Sequence, residues 1–435
     1  MPIGYDGCLT RTGSIRLLDS ECLNSKLSKY PAYKSAPDVI ASIRFKTRSD
    51  ISVRPVQLVP PHRSMHSVDS RSSVSSSCAT HMEPIMQDID WQDVVDEDVD
   101  GMYQLTADMV NESLAFLYPN LPSTAIQPIR ALMLDRENGF GSFRFDVLAL
   151  SPLLPSTSSL VFLSHVVFNV LAFDGLDMDV LVAWVRAVDS KYDPKIPYHN
   201  ADHAADVLHT LFCILVHSHL RSTLSEPMQI ASLLAAITHD VAHFGRTNAF
   251  LTKSKHAVYI AYPLCCPLEA MHAAIGLDML NEHNVLAHLP PATQDELRHV
   301  IHKAIFTTSL CEQKNLLAAL HSVHETSPDY SLVLVQAAVH VADLGQTTKP
   351  FAVHRQWVNR LHEELCCQGD TEKSLGWTVP PMGDRSCGLS TASQLYFLEN
   401  LVLPVLSVVD DALDGGLDPL VAQLCANIDE WKACK

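Results

Sequence analysis

An all-α fold is what this chain predicts, and three observations carry the expectation. Apolar residues recur at helical spacing through Leu160–Val188, Met228–His243, Leu268–Leu280 and Leu332–Ala342. Only 16 glycines occur among 435 residues, and long stretches are rich in Leu, Ala, Val and His, a balance that favours helices over a turn-rich β fold. No stretch shows apolar–polar alternation closed by hairpin turn residues.

Taken in order, the first element is a low-complexity region over residues 1–100, expected to be disordered. Residues 1–80 are basic, with 11 Lys and Arg against 6 Asp and Glu, and finish in the serine-rich tract Ser70–Ser77. Arg63 and Arg71 stand just before serines, which makes this arm a candidate for a kinase or a regulatory partner. Glu83–Asp100 then holds 8 acidic residues and no Lys or Arg, a solvated run that can dock the basic arm in cis. Residues 101–137 read as a linker or helical lead-in, and Met133–Asp146 as a glycine-interrupted connection. A compact multi-helix domain is expected over 138–435.

Composition narrows the function. A formal net charge of −18 disfavours the wrapping of nucleic acid, which depends on Lys and Arg neutralising phosphates. One small anion can still bind where metal ions dominate the local field. The 12 cysteines include two adjacent pairs, Cys265–Cys266 and Cys366–Cys367, but no Cys-x-x-Cys. In a chain this long they read as reduced thiols in a cytoplasmic protein. The sequence shows no signal-peptide pattern at its start. Leu160–Phe173, the most apolar run, carries Ser164, His165 and Asn169, so it reads as a core helix and not a membrane span.

Four clusters can carry chemistry: His199-Asn200-Ala201-Asp202-His203, His239-Asp240-Val241-Ala242-His243, Glu269-Ala270-Met271-His272 and Ala342-Asp343. On a helix, His199 and His203 share one face, as do His239 and His243. A His–Asp dipeptide supplies a nitrogen and a carboxylate oxygen to one divalent ion and can bridge to a second. With 22 histidines present, such pairs also arise by chance, so a cluster alone does not decide the matter. Two later segments add weight: Lys349-Pro350 with Arg355-Gln356-Trp357, Glu363-Glu364 and Gln368-Gly369-Asp370, and Pro381-Met382-Gly383-Asp384-Arg385 with Ser393-Gln394-Leu395-Tyr396-Phe397.

Together these motifs resemble class I 3′,5′-cyclic-nucleotide phosphodiesterases, from near Phe143 to Asn427-x-x-x-Trp431. The resemblance implies an all-α catalytic domain of the His-Asp metal superfamily. It implies His203, His239, Asp240 and Asp343 as ligands of a tightly held metal, usually zinc. A second ion, usually magnesium or manganese, would share Asp240, its waters ordered by His243, Glu269 and Thr308. His199 matches the residue that protonates the leaving O3′, with Glu269 or His272 nearby to hold it. Gln394 matches the glutamine that pairs with the purine edge; Phe397 and Leu361 would clamp the base, and Tyr198 and Gln346 would line the same pocket. The reaction implied is attack on the cyclic phosphodiester by a hydroxide generated between two metals, with general acid catalysis contributing roughly 10²–10⁴-fold.

The chain departs from the family pattern at several places. Leu344-Gly345-Gln346 stands where Leu-Ser-Asn is usual, which bears on adenine reading. Glu269-Ala270-Met271-His272 replaces Glu-Asn-His-His, Thr307-Thr308-Ser309 replaces Ala-Thr-Asp, and Ala242-His243-Phe244 replaces Asp-His-Pro. Gly245-Arg246-Thr247-Asn248 and Ala205–His209 are most similar to the cAMP-specific subgroup, so cAMP is the expected substrate, with cGMP beside it. Two other readings stay open: a His-Asp phosphohydrolase acting on another ester, and a catalytically impaired relative that binds nucleotide or a partner protein.

Overall fold

The periodic segments all fold as helices, and no strand occurs among the described residues. The computed structural model describes residues 105–155 and 158–434. The basic and acidic N-terminal region, and the kinase or partner expected to act there, lie outside them. The lead-in forms α1 (Ala107–Leu117) and α2 (Ser123–Met133). Then come α3 (Ser159–Leu171), α4 (Met178–Asp189), α5 (Ala201–His217), α6 (Glu226–Thr238) and α7 (Asn248–Ser254). They are followed by α8 (Pro267–Glu282), α9 (Pro291–Thr307), α10 (Gln313–Ser322), α11 (Tyr330–Asp343) and α12 (Phe351–Ser374). The chain ends in α13 (Thr391–Phe397), α14 (Leu403–Ala412) and α15 (Asp418–Ala433).

Local signals fix several helix starts. Asp177, Asn200 and Thr247 each place a side-chain oxygen on the first free backbone N–H groups of α4, α5 and α7. Three helices are apolar on nearly every side and so occupy the centre. His203–Leu215 of α5, Gln229–Thr238 of α6 and most of Val333–Ala342 of α11 are buried, and the three pack against one another. Burial of Ile230, Leu233, Leu234 and Ile237 contributes about 1.5–3 kcal/mol for each side chain. Around this trio, α3 packs on α5, and α9 packs on both α6 and α11.

α13, a π-helical turn at Leu398–Val402 and α14 run on as one helix, Thr391–Ala412, whose most apolar 18-residue stretch has a mean hydropathy of 1.4. Among the described residues it alone is long and apolar enough to cross a membrane by length and composition. Leu398, Val402, Val405, Leu406 and Val409 form its buried stripe in the domain core.

Behind the central trio, the Lys349 ammonium meets the Asp206 carboxylate at 3.1 Å with both side chains almost fully enclosed. Asn427 of α15 donates to the carbonyls of Thr347 and Lys349, pinning the 3₁₀ turn Gly345–Thr348 from outside. Removing one partner of a buried pair strands the other charge. Lys349→Ala is therefore expected to lower unfolding stability by about 3–5 kcal/mol, read as a fall in the denaturant midpoint, and an unchanged midpoint would show the pair to be dispensable.

Candidate active site

The central helices terminate at one point, and their ends supply the chemistry. Asn200 starts α5, which puts His203 in its first turn. α6 stops at Thr238, so His239 and Asp240 follow its last turn, and Asp343 is the final residue of α11. The expectation that the histidine pairs share helix faces is corrected here. His199 precedes α5, and the backbone after α6 turns through Ala242 at φ 62°, a left-handed conformation that ends any helical register. The rings still converge, because the chain reverses on itself.

His203 Nε2 lies 3.0 Å from Asp343 Oδ1, 3.2 Å from His239 Nε2 and 3.5 Å from Asp240 Oδ2. His239 Nε2 lies 3.3 Å from that Asp240 oxygen and 3.4 Å from Asp343 Oδ1. Ligands held about 2.0–2.2 Å from one divalent ion stand roughly 3–3.5 Å apart, so this set fits a metal. The donor chemistry agrees. His239 Nδ1–H donates to the Ala236 carbonyl at 2.8 Å, leaving Nε2 as the lone-pair atom turned into the cluster. Asp240 and Asp343 both lie at helix C-termini, where the helix dipole opposes negative charge and a cation relieves it. Burial disfavours charge on His239, yet the adjoining Asp240 and Asp343 carboxylates raise it well above the ordinary histidine range. The pocket thus draws positive charge to itself.

Next to this cluster, His272 Nδ1–H donates to the Val241 carbonyl at 2.7 Å. Its Nε2 is buried without a hydrogen-bond partner and stands 3.7 Å from Asp240 Oδ1. Two acceptors facing each other across that gap call for a water or a cation between them. His272 is lowered to about 4 by burial, with Asp240 opposing, so its ring is neutral.

His199 is held differently from expectation. Neither Glu269 nor His272 holds it: its Nδ1 is 2.6 Å from Glu364 Oε1, and the backbone N–H groups of Tyr198 and His199 donate to Glu364 Oε2. Burial works against the charged ring, but the Glu364 and Asp240 carboxylates outweigh it and raise His199 to about 9. Glu364 is lowered to about 2: burial alone would raise it, and His199 prevails. His243 stacks on His199 with ring centroids 4.1 Å apart and accepts from the Gly245 N–H at Nδ1, leaving Nε2–H to donate. Glu269 instead accepts from the Asn248 amide nitrogen, which lies 3.1 and 2.9 Å from its two carboxylate oxygens.

All this opens into a cavity of about 400 Å³ lined by His199, Asp240, His243, Glu269, His272, Thr308 and Asp343. Tyr198, Gln346, Leu361, Leu365 and Phe397 also line it, with the Tyr198 ring packed against His199 and His203. Gln394 is not brought in: it sits one turn before Phe397 on α13, half-buried, outside the cavity lining. Gln346 is held firmly. Neutral His354 donates from Nδ1 to Gln346 Oε1 at 3.1 Å, and its Nε2 accepts from the Trp431 indole at 3.0 Å. The Gly369-Asp370 and Gly383-Asp384-Arg385 parts of the later segments are structural. A side chain at Gly369 would overlap the Gly383 carbonyl, and Arg385 bridges Glu363 and Asp370 across that same contact.

The description "3′5′-cyclic nucleotide phosphodiesterase" matches residues 198–424, more than half of the chain. The chain belongs to this family. It is 32% identical over 247 residues to the dual specificity calcium/calmodulin-dependent 3′,5′-cyclic nucleotide phosphodiesterase 1B of Mus musculus, covering 55% of this chain and 46% of that one. It is 33% identical over 247 residues to the corresponding phosphodiesterase 1 of Drosophila melanogaster, covering 55% and 30%. The chain thus spans about half or less of the length of these relatives. The structure of LmjPDEB1 in complex with IBMX shares the fold, with a TM-score of 0.63 at 21% identity over 72% of this chain and 98% of that one.

Asp343→Ala is expected to cut the transition-metal content of dialysed protein by more than ~10-fold while the helical circular dichroism persists. Metal analysis of the two proteins side by side checks this, and a metal-replete variant would sink the ligand assignment.

Proposed function

We propose that this chain hydrolyses the 3′,5′-cyclic phosphodiester of cAMP and cGMP to the 5′-monophosphate. The observation that carries this reading is His199, clamped in its charged form by Glu364 and facing the same cavity as the metal-ligand cluster. In this reading His203, His239, Asp240 and Asp343 would hold zinc, and Asp240 with His243, Glu269 and Thr308 would serve a second ion, magnesium or manganese. When bound, such ions offset the charge of the phosphodiester and activate water at neutral pH.

The chain's own residues do the rest. Glu364 occupies Nδ1 of His199, so Nε2–H is the atom left to protonate the departing O3′. Bound cations offset the part of its raised affinity for protons that comes from Asp240 and Asp343, leaving Glu364 as the lasting source. Neutral His243 and His272 do not compete for that role. The apolar faces of Leu361 and Phe397 suit the flat purine.

Nucleotide choice turns on Gln346 in place of the family's asparagine. Because His354 already occupies Gln346 Oε1, the amide has its NH₂ to offer the cavity. A donor there meets N7, which adenine and guanine share, and so supports use of both cyclic nucleotides over the cAMP preference expected from the sequence. Gln394, outside the lining here, would have to rotate inward to contribute.

Two measurements test the reading. Purified protein in Mg²⁺ or Mn²⁺ is expected to turn over cAMP and cGMP with kcat/KM values within about tenfold of each other; hydrolysis of neither by metal-loaded protein would overturn the activity. The acid form of His199 exists below its raised value, so activity should fall as pH rises through it. Glu364→Gln removes the largest raising influence, so the alkaline limb of the kcat profile should move to lower pH and kcat near pH 7 should drop about 10–100-fold. An unmoved alkaline limb would remove Glu364 from the role.

A further inference from the structure

Three thiols lie together at the rim of the cavity, and none of them takes part in the chemistry above. Cys266 caps α8 and is buried, with Cys265 exposed just before it. Cys311 is exposed in the loop between α9 and α10. Cys266 Sγ stands 2.7 Å from Cys311 Sγ, whereas Cys265 Sγ is 3.4 Å from Cys266 Sγ. The Glu312 carboxylate completes a group whose ligand atoms all lie within 4.8 Å of one another.

Such a group can hold a soft metal or form a disulfide, and the spacing decides between them. Thiolates bound to zinc at about 2.3 Å stand roughly 3.7 Å apart, well beyond the separation of Cys266 and Cys311. A disulfide needs about 2.05 Å, which is reached by a sub-ångström approach of the two sulfurs. Cys265 and Cys266 are neighbours in the chain, so pairing them would distort the backbone that opens α8.

We propose that Cys266 and Cys311 form an oxidation site, a dithiol that hydroperoxides convert to a disulfide tying two walls of the cavity together. The walls are the start of α8, which carries Leu268 and Glu269, and the loop that carries Thr308, Ser309 and Leu310. Cys311 is the attacking sulfur because it is exposed and its thiol is lowered to about 6, by the hydrogen bond from Cys266 in spite of partial burial. Its thiolate attacks one peroxide oxygen: an S–O bond forms, the O–O bond breaks, and hydroxide leaves and takes up a proton as water. The sulfur is thereby oxidised to the sulfenic acid. Cys266 then attacks that sulfur, the S–S bond forms, the S–OH bond breaks, and the hydroxide leaves with the Cys266 proton as a second water.

Treatment of the full chain with hydrogen peroxide, alkylation of the remaining thiols and non-reducing proteolysis tests this. The expected result is a cross-linked peptide pair joining Cys266 to Cys311, with loss of two alkylatable thiols, both reversed by dithiothreitol. Cys265→Ser should keep the cross-link, and Cys266→Ser should lose it and leave Cys311 as sulfenic or sulfinic acid. Peroxide-treated wild-type protein without that peptide pair, or with Cys265 as the partner of Cys311, would overturn the proposal. So would stoichiometric zinc or cadmium that shields all three cysteines from alkylation.

Discussion

Two carboxylate oxygens and the His239 Nε2 are held within 3.5 Å of His203 Nε2 at the ends of three core helices, and the domain is built around that concentration of charge. Asp240 and Asp343 sit where helix dipoles resist them, and both press protons onto His239. Holding such groups together needs a rigid support. α5, α6 and α11 provide it by being apolar on almost every side, so that none can rotate or slide without exposing core. A second buried charge pair, Lys349 with Asp206, stands just behind the first and ties the turn after α11 to α5.

The fold was legible because its evidence is redundant. The apolar periodicity of Met228–Thr238 alone calls for a buried helix, and Leu160–Leu171 and Leu332–Ala342 repeat the message. The cluster residues were legible as a set, since His203, His239, Asp240 and Asp343 are unusual side chains in otherwise apolar surroundings. Their placement was not. A helical-face argument for His239 and His243 fails because a single left-handed residue, Ala242, redirects the chain, and alanine carries no signal for that conformation. Glu364 stood in a segment of note but without a role, for a related reason. It stands beside Glu363, and only the tertiary structure separates the exposed partner of Arg385 from the buried partner of His199.

The far end of the chain has an unexpected share in the site. Asn427 and Trp431 lie four residues apart on one face of α15, and neither reaches the cavity. Asn427 holds the turn that presents Gln346, and Trp431 sets the tautomer of His354, which in turn orients the Gln346 amide. The cavity wall at Gln346 is therefore specified through hydrogen bonds relayed from residues outside the cavity.

α12 concentrates two jobs in one rod. Leu361, Glu364, Leu365 and Gln368 recur at three- and four-residue spacing on the face toward the cavity. The residue that holds His199 and the apolar residues that line the cavity thus share one rigid body. Substitutions that tilt or shift this helix are pleiotropic: turnover and ligand preference drift together along any evolutionary path through it. An inhibitor that leans on Leu361 and Leu365 inherits the same coupling, since resistance gained by moving α12 erodes the grip of Glu364 on His199.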